Sequence, residues 1–211
     1  MDQILTGVAD NSTIKSFLIA LKNKGESPEE VGALVSQMYE HCAPISITER
    51  AVDTVGTGGD GAHTINISTT AAIIAAAAGA RVIKHGNRAA SSKSGSADLL
   101  ENLGININLK GEAVQECFAE LGIGFCFAPL VHPAMKHAAV ARKELGVPTA
   151  FNLLGPMANP AQVSYMVVGV GDPDMAHKMA HAIAGRGVQR AWVVHGHGGL
   201  DELSLSGPCS V

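Results

Sequence analysis

The stretch VDTVGTGGDG, residues 52–61, leads from a short apolar segment into a glycine-rich loop, and the rest of the chain is interpreted around it. Residues 52–55 are predicted to form a β-strand. Four glycines at positions 56–61 allow positive φ angles and a close approach to an anion. Successive N–H groups of such a loop can surround phosphate oxygens. The pattern matches neither of the common nucleotide-binding glycine motifs, so a plain turn remains the alternative.

Strands and helices alternate on both sides of this loop. We predict strands at 52–55, 81–84, 163–170 and 191–194, helices at 69–78, 97–103 and 175–184, and a short extended piece at 105–109. Such alternation indicates an α/β protein with a mostly parallel sheet that is covered by helices.

Helical patterns dominate two other parts of the chain. Residues 14–25 repeat apolar side chains at helical spacing, and Ser27-Pro28-Glu29-Glu30 is typical of a capping box that opens a helix to about residue 41. Residues 112–145 read as amphipathic helices without a strand between them. We therefore predict a small helical domain of residues 1–46, joined by 110–147, beside an α/β domain of 47–109 and 148–211.

Composition excludes several classes of protein. The 211 residues are 46% apolar and 16% charged, which argues against disorder. A net charge of −4 and only eight aromatic residues argue against a nucleic-acid partner. No signal peptide and no apolar run long enough for a bilayer is visible, so we expect no membrane association. Four dispersed cysteines favour a cytoplasmic protein over a zinc or disulfide framework.

Three further segments carry polar groups that suit a phosphorylated ligand. Asn66-Ile67-Ser68-Thr69 opens the alanine-rich helix, where capping of the helix is the simpler explanation. Lys84-His85-Gly86-Asn87-Arg88 follows a predicted strand, and a solvated loop is its alternative. Asp201 and Glu202 lie after the strand 191–194, and adjacent carboxylates favour a cation such as Mg²⁺ unless they are only a surface pair.

These four segments, in this order, resemble the anthranilate phosphoribosyltransferase family. The resemblance extends to FCFAP at 125–129, HPAM at 132–135 and FNLLGPMANP at 151–160, and it covers nearly the whole chain. It implies a nucleoside phosphorylase-like fold and Mg²⁺-dependent transfer of the phosphoribosyl group from phosphoribosyl pyrophosphate (PRPP) to anthranilate, in tryptophan biosynthesis. It also implies a homodimer formed through the helical domain. Because family members are longer at the C-terminal end, we expect the sheet to be incomplete there.

The resemblance also assigns roles to individual positions. For PRPP it implies contacts from Gly56, Gly59, Asp60, Thr64, Asn66, Ile67, Ser68, Thr69, Lys84, His85, Gly86, Asn87, Arg88, Ala89, Ala90, Ser91, Ser92 and Ser96. For anthranilate it implies Gly56, Asn87 and Arg142, and for Mg²⁺ it implies Ser68, Asp201 and Glu202. We name no catalytic general base, since an aromatic amine is already neutral near pH 7 and positioning is expected to dominate.

Two other functions fit parts of this pattern. An enzyme similar to pyrimidine nucleoside phosphorylase would share the fold and use free phosphate with a nucleoside. A non-catalytic relative, or an inactive fragment, would bind phosphate or nucleic acid without turnover. Arg142 together with Lys84 to Arg88 favours a carboxylate-bearing aromatic substrate over a pyrimidine.

Overall fold

The computed structural model describes residues 1–62, 64–89 and 94–211. Its helices are α1 (Asp2–Leu5), α2 (Asn11–Lys24), α3 (Pro28–Glu40), α4 (Ile67–Ala77), α5 (Ser96–Asn102), α6 (Gly111–Leu121), α7 (Ala128–Val131), α8 (Lys136–Leu145), α9 (Phe151–Met157) and α10 (Pro173–Ala184). Its strands are β1 (Val52–Gly56), β2 (Val82–Gly86), β3 (Ile123–Phe127), β4 (Tyr165–Gly169) and β5 (Arg190–Val194). Short 3₁₀ helices cover Pro133–Met135 and His197–Gly199.

The five strands form one parallel sheet in the order β3-β2-β1-β4-β5. The first strand, β1, therefore lies in the middle of the sheet. The strands β2 and β3 follow on one side of β1, and β4 and β5 lie on its other side. In such sheets the strand order reverses between two neighbouring strands, and ligands bind beside the carboxyl ends of those two strands. Here the reversal lies between β1 and β4, so the glycine loop after Gly56 begins at the position where a ligand is expected.

The two faces of the sheet have different surroundings. The α4 face, which carries Thr54 and Lys84, packs against α4 over β1 and β2. The α9 face, which carries Asp53 and His85, packs against α9 and belongs to the main core of the molecule. Neighbouring residues of one strand point to opposite faces, which is why Lys84 and His85 separate.

On the α4 face, the helices of the described residues do not cover β4 and β5. Tyr165, Val167 and Trp192 line an open groove of about 510 Å³ there, and Trp192 is 52% exposed. The predicted α/β fold with a parallel sheet covered by helices is confirmed, and this groove is the part of the α4 face that stays open.

The N-terminal helices form the predicted helical bundle. α2 packs on α8, and α3 packs on α9 and α10. The predicted capping box is present, because the Ser27 hydroxyl accepts from the Glu30 N–H at 3.3 Å and the Glu30 carboxylate accepts from the Ser27 N–H at 2.9 Å. The contact of α8 with α2 agrees with a discontinuous helical domain, whose exact bounds stay a prediction.

One prediction for the middle of the chain is wrong. Residues 112–145 contain a strand, β3, which begins directly after the left-handed Gly122 ends α6 and which pairs along all of β2. Phe125 and Phe127 made this segment hard to separate from the flanking apolar helices. Residues 105–109, predicted as a short extended piece, belong to no helix or strand, and Ile107 is buried against α5 and Phe127.

Candidate functional site

The glycine loop and the acidic pair meet at the carboxyl ends of β1 and β4. The Gly58 N–H donates to Asp201 Oδ2 at 2.7 Å. A Cβ on Gly56 would lie 2.5 Å from the same oxygen, and a Cβ on Gly169 would overlap the Asp201 carbonyl oxygen. The absence of side chains at both strand ends is therefore what admits Asp201, which is buried.

Three carboxylates face one another at this edge. Burial raises the pKa of Asp201, and the neighbouring charge of Asp60 raises it further. Burial and the charge of Asp201 raise the pKa of Glu202 to about 7, although Lys84 opposes this shift. Asp60 Oδ2 is buried without a hydrogen-bond partner in the described part of the chain. This excess of negative charge is what a bound cation would relieve.

The donor atoms at this edge suit Mg²⁺. Asp201, Glu202 and the Ser68 hydroxyl offer only oxygen, which hard divalent cations prefer. Among the described residues, no group of three or more His, Cys, Asp or Glu side chains is arranged to hold a metal by itself. A cation held here would thus depend on ligands from outside the protein, such as substrate phosphates and water.

Lys84 connects β2 to β1 and α4 on the α4 face. Its ammonium donates to the Thr54 carbonyl and, at 3.4 Å, to the Ser68 hydroxyl. The Thr54 hydroxyl in turn donates to the Ser68 carbonyl at 2.8 Å. Burial lowers the pKa of Lys84, while the charges of Asp53 and Glu202 raise it. The ammonium is therefore held as a buried cation near the acidic pair.

The start of α4 is joined to α5 rather than capped by its own side chains. Asn66 occupies the N-cap position without a side-chain cap, and its amide donates instead to the Ser94 carbonyl at 2.9 Å. The Thr69 hydroxyl donates to the Ser96 hydroxyl at 2.8 Å. The expectation of capping is therefore wrong at Asn66. Thr64 precedes this turn and is exposed.

Several polar groups of the loop after β2 already bind partners within the protein. Asn87 is exposed, and its side-chain oxygen accepts from the Arg88 N–H at 2.8 Å. Arg88 is paired with Asp98 at 3.1 Å and Glu101 at 2.5 Å, and these bonds raise its pKa. Gly86 cannot carry a side chain without meeting Phe125 and Ser96. Ala90, Ser91 and Ser92 lie outside the described residues, and Ala89 precedes them.

The side chain of His85 does not join this group. It lies on the α9 face, where Nδ1 is 3.1 Å from the Gly155 carbonyl and the ring meets that of His132 edge-on at 5.2 Å. Burial lowers the pKa of His85 to about 3, so the ring is neutral. Of the predicted PRPP residues, Lys84 and His85 are adjacent in sequence yet separated by the sheet.

The sequence patterns did not identify the buried polar pair of Asp53 and Asn159 next to His85. Asp53 is fully buried; it accepts from the Asn159 amide at 2.8 Å and from the His85 N–H at 3.3 Å. Asn159 also donates to the Ile83 carbonyl at 2.8 Å. The available signal was an acidic residue inside a predicted buried strand, which requires partners.

Arg142 lies in α8, away from the acidic pair. Its guanidinium stands 5.1 Å above the Phe151 ring at the start of α9, and burial lowers its pKa. We find no ion pair of Arg142 within the described residues. The side chain is half-buried rather than exposed, in contrast to what its helical position suggests.

The protein combines a helical bundle with a parallel α/β sheet. Glycines, carboxylates and a lysine meet at the carboxyl edge of that sheet, and these features together define its structural class. The chain belongs to the glycosyl transferase family: residues 48–211 match its a/b domain, and residues 1–42 match its helical bundle domain.

Particular relatives narrow this class. The anthranilate phosphoribosyltransferase of Nocardioides sp. is 55% identical over 98% of this chain, and that of Saccharopolyspora erythraea is 52% identical over 97%. The crystal structure of the Thermus thermophilus enzyme superposes with a TM-score of 0.91 at 47% identity and covers 97% of this chain. The Saccharomyces cerevisiae enzyme in complex with PRPP and Mg reaches 0.86 at 34% identity over 92%.

The chain spans about 60% of the length of the curated relatives that it matches: 60% of the Nocardioides protein and 58% of the Saccharopolyspora protein. It spans 62% of the Thermus chain and 55% of the yeast chain. No helix in the described part of the chain is long and apolar enough to span a membrane.

Proposed function

We propose that this chain binds PRPP with Mg²⁺ and transfers its phosphoribosyl group to anthranilate, with release of pyrophosphate. The observation that carries the proposal is the meeting of the glycine loop, Lys84, Ser68 and the acidic pair at the reversal point of the sheet. The relatives named above support the same reaction by their similarity over nearly the whole chain.

The residues of the α4 face would bind the pyrophosphate end of PRPP. The loop N–H groups at 56–61 and the Lys84 ammonium offer donors and positive charge to phosphate oxygens. Ser68, Asp201 and Glu202 would hold Mg²⁺, which neutralises charge on the leaving pyrophosphate when bound. No protein group needs to remove a proton before attack, because the anthranilate amine is neutral at pH 7; the protein contributes mainly orientation.

Arg142 and Asn87 would orient anthranilate. A guanidinium without an acidic partner suits a carboxylate, which it can bind through two parallel hydrogen bonds. The Phe151 ring beneath Arg142 limits the directions in which the guanidinium can turn. We include in the proposal a cytoplasmic location and a homodimer through the helical bundle, where Val8 and Phe17 expose apolar surface.

The direct test is turnover and binding by the chain itself. Purified protein is mixed with PRPP, Mg²⁺ and anthranilate, the loss of anthranilate fluorescence is followed, and PRPP affinity is measured by calorimetry. Arg142→Met is expected to raise the anthranilate KM about 10-fold or more, with the PRPP affinity unchanged. Arg190→Met removes one exposed arginine elsewhere and serves as the matched control. A folded chain that neither binds PRPP nor consumes anthranilate contradicts the proposal.

A further inference from the structure

A polar cavity lies on the α9 face, away from the acidic pair. It has a volume of about 140 Å³ and is bordered by Tyr39 of α3, Asn159 and Gln162 of the segment between α9 and β4, and Ile183 and Arg186 at the end of α10. The cavity therefore sits where the helical bundle meets the sheet.

Arg186 brings an unpaired charge to this cavity. Its guanidinium lies 4.5 Å above the Tyr39 ring, and its Nη1 atom is buried without a hydrogen-bond partner. Within the described residues the guanidinium makes no ion pair, and no acidic residue is among those that line the cavity. Burial of a cation without a counter-charge is costly, and burial accordingly lowers the pKa of Arg186.

Two of the polar neighbours already have partners of their own. The Tyr39 hydroxyl donates to the Met157 carbonyl at 2.8 Å. The Asn159 amide donates to Asp53 and Ile83, while its oxygen accepts from the Ala161 N–H at 3.0 Å. Among the described residues Arg186 Nη1 has no acceptor, so the cavity presents a cation to which a bound anion would supply one.

We propose that this cavity is a binding site for a small oxyanion, a phosphate or carboxylate group held by Arg186. Its volume is below the ~300–1,000 Å³ of sites that hold drug-sized ligands, so an ion or a small acid fits and a nucleotide does not. The site is separate from the proposed PRPP site, because the sheet lies between Arg186 on the α9 face and Lys84 on the α4 face. A bound anion would join α3 and α10 to the Asn159 segment, and so would stabilise the contact between the helical bundle and the sheet.

The test measures thermal unfolding and calorimetric binding with phosphate and, separately, with acetate, against chloride at equal ionic strength and with EDTA present. Wild-type protein is expected to gain stability with one of the two anions, and Arg186→Gln is expected to weaken binding about 10-fold or more. Arg190→Gln is the matched control and should respond like the wild type. Phosphate alone indicates a phosphate group as the ligand, and acetate alone indicates a carboxylate.

Two further arms keep the result decisive. Lys84→Met weakens phosphate binding on the α4 face, so a phosphate response that persists in Lys84→Met and is lost in Arg186→Gln locates the ion at Arg186. If Arg186→Gln does not fold, crystals of the wild type soaked in selenate should show an anomalous peak beside Arg186. A full response in folded Arg186→Gln, no response beyond chloride, or a cavity that holds water only after the soak would each overturn the proposal.

Discussion

Lys84 and His85 are consecutive residues of β2, yet Lys84 faces two carboxylates with raised pKa values, whereas His85 lies beside the hydrogen-bonded pair of Asp53 and Asn159. On the α4 face, the buried Lys84 ammonium faces carboxylates whose pKa values are raised. On the α9 face, Asp53 and Asn159 satisfy each other and two backbone groups of β2. Lys84 and the carboxylates on the first face are thus expected to serve binding at some cost in stability, whereas Asp53 and Asn159 on the second face are expected to serve stability.

The largest effect is expected at Gly169, whose missing side chain leaves room for the Asp201 backbone at the carboxyl end of β4. Gly169→Ala would push a Cβ into the Asp201 carbonyl, which is backbone and cannot turn away. We expect a loss of about 3 kcal/mol or more in the free energy of unfolding, together with loss of PRPP binding. Urea denaturation measures the first and calorimetry the second. Gly111→Ala, where an added Cβ meets nothing within 4 Å, is the control. An unchanged urea midpoint would show that Asp201 is not seated between these strands.

The α9 face is tested by removing its central amide. Asn159→Ala leaves Asp53 Oδ2 and the Ile83 carbonyl without this donor in a buried environment. We expect a loss of roughly 1–3 kcal/mol in the free energy of unfolding. At a temperature where the variant is folded, PRPP affinity should stay within about threefold of the wild type, a difference worth less than 1 kcal/mol. A selective loss of PRPP affinity with unchanged stability would reverse the assignment of the two faces.

The α4 face should show the opposite pattern in Lys84→Met. Methionine keeps most of the length of the side chain; it removes the cost of burying a charge but leaves the Thr54 carbonyl without this donor, so the free energy of unfolding is expected to change by about 2 kcal/mol or less. PRPP affinity should fall about 10-fold or more, because a donor to the phosphates is lost. Calorimetry with PRPP and Mg²⁺ and urea denaturation decide the result together. Strong destabilisation with retained affinity would mean that Lys84 is a structural cation.

Much of this arrangement could be read from the chain, and the remainder depends on contacts distant in sequence. The glycine loop, the polar loop after β2 and the acidic pair each follow a strand, so their meeting at one edge follows from parallel pairing. The sequence could not show that Asp53 is satisfied by Asn159, which lies 106 positions away. Nor could it show that Arg88 is paired with Asp98 and Glu101, since ion pairs at these spacings depend on how α5 packs.

β3 illustrates the same limit in a secondary-structure element. Its five residues contain two phenylalanines between helical segments, and only the unpaired edge of β2 selects an extended conformation for them. The available partner strand, rather than local propensity, decides the conformation of these residues. Arg142 is similar, because its burial results from Phe151 on the next helix and not from its own helical pattern.

The smallest expected effect concerns the pH dependence of stability on the α9 face. Burial raises the pKa of Asp53 from 3.8 to about 6, despite Lys84 and Asn159. The folded state therefore binds this proton more tightly than the unfolded state, and stability rises as the pH falls from about 7 through the folded pKa toward 3.8. Between pH 7 and pH 5 this proton contributes about 1 kcal/mol to the free energy of unfolding.

Asp53→Asn removes this proton uptake while Glu202 on the α4 face still titrates, so the difference between wild type and variant isolates Asp53. Urea midpoints at both pH values should show that the wild type gains more stability on acidification than the variant does. Equal gains in stability would mean that Asn159 and His85 keep Asp53 ionised. Asp53 would then be a charged partner of Lys84 across the sheet.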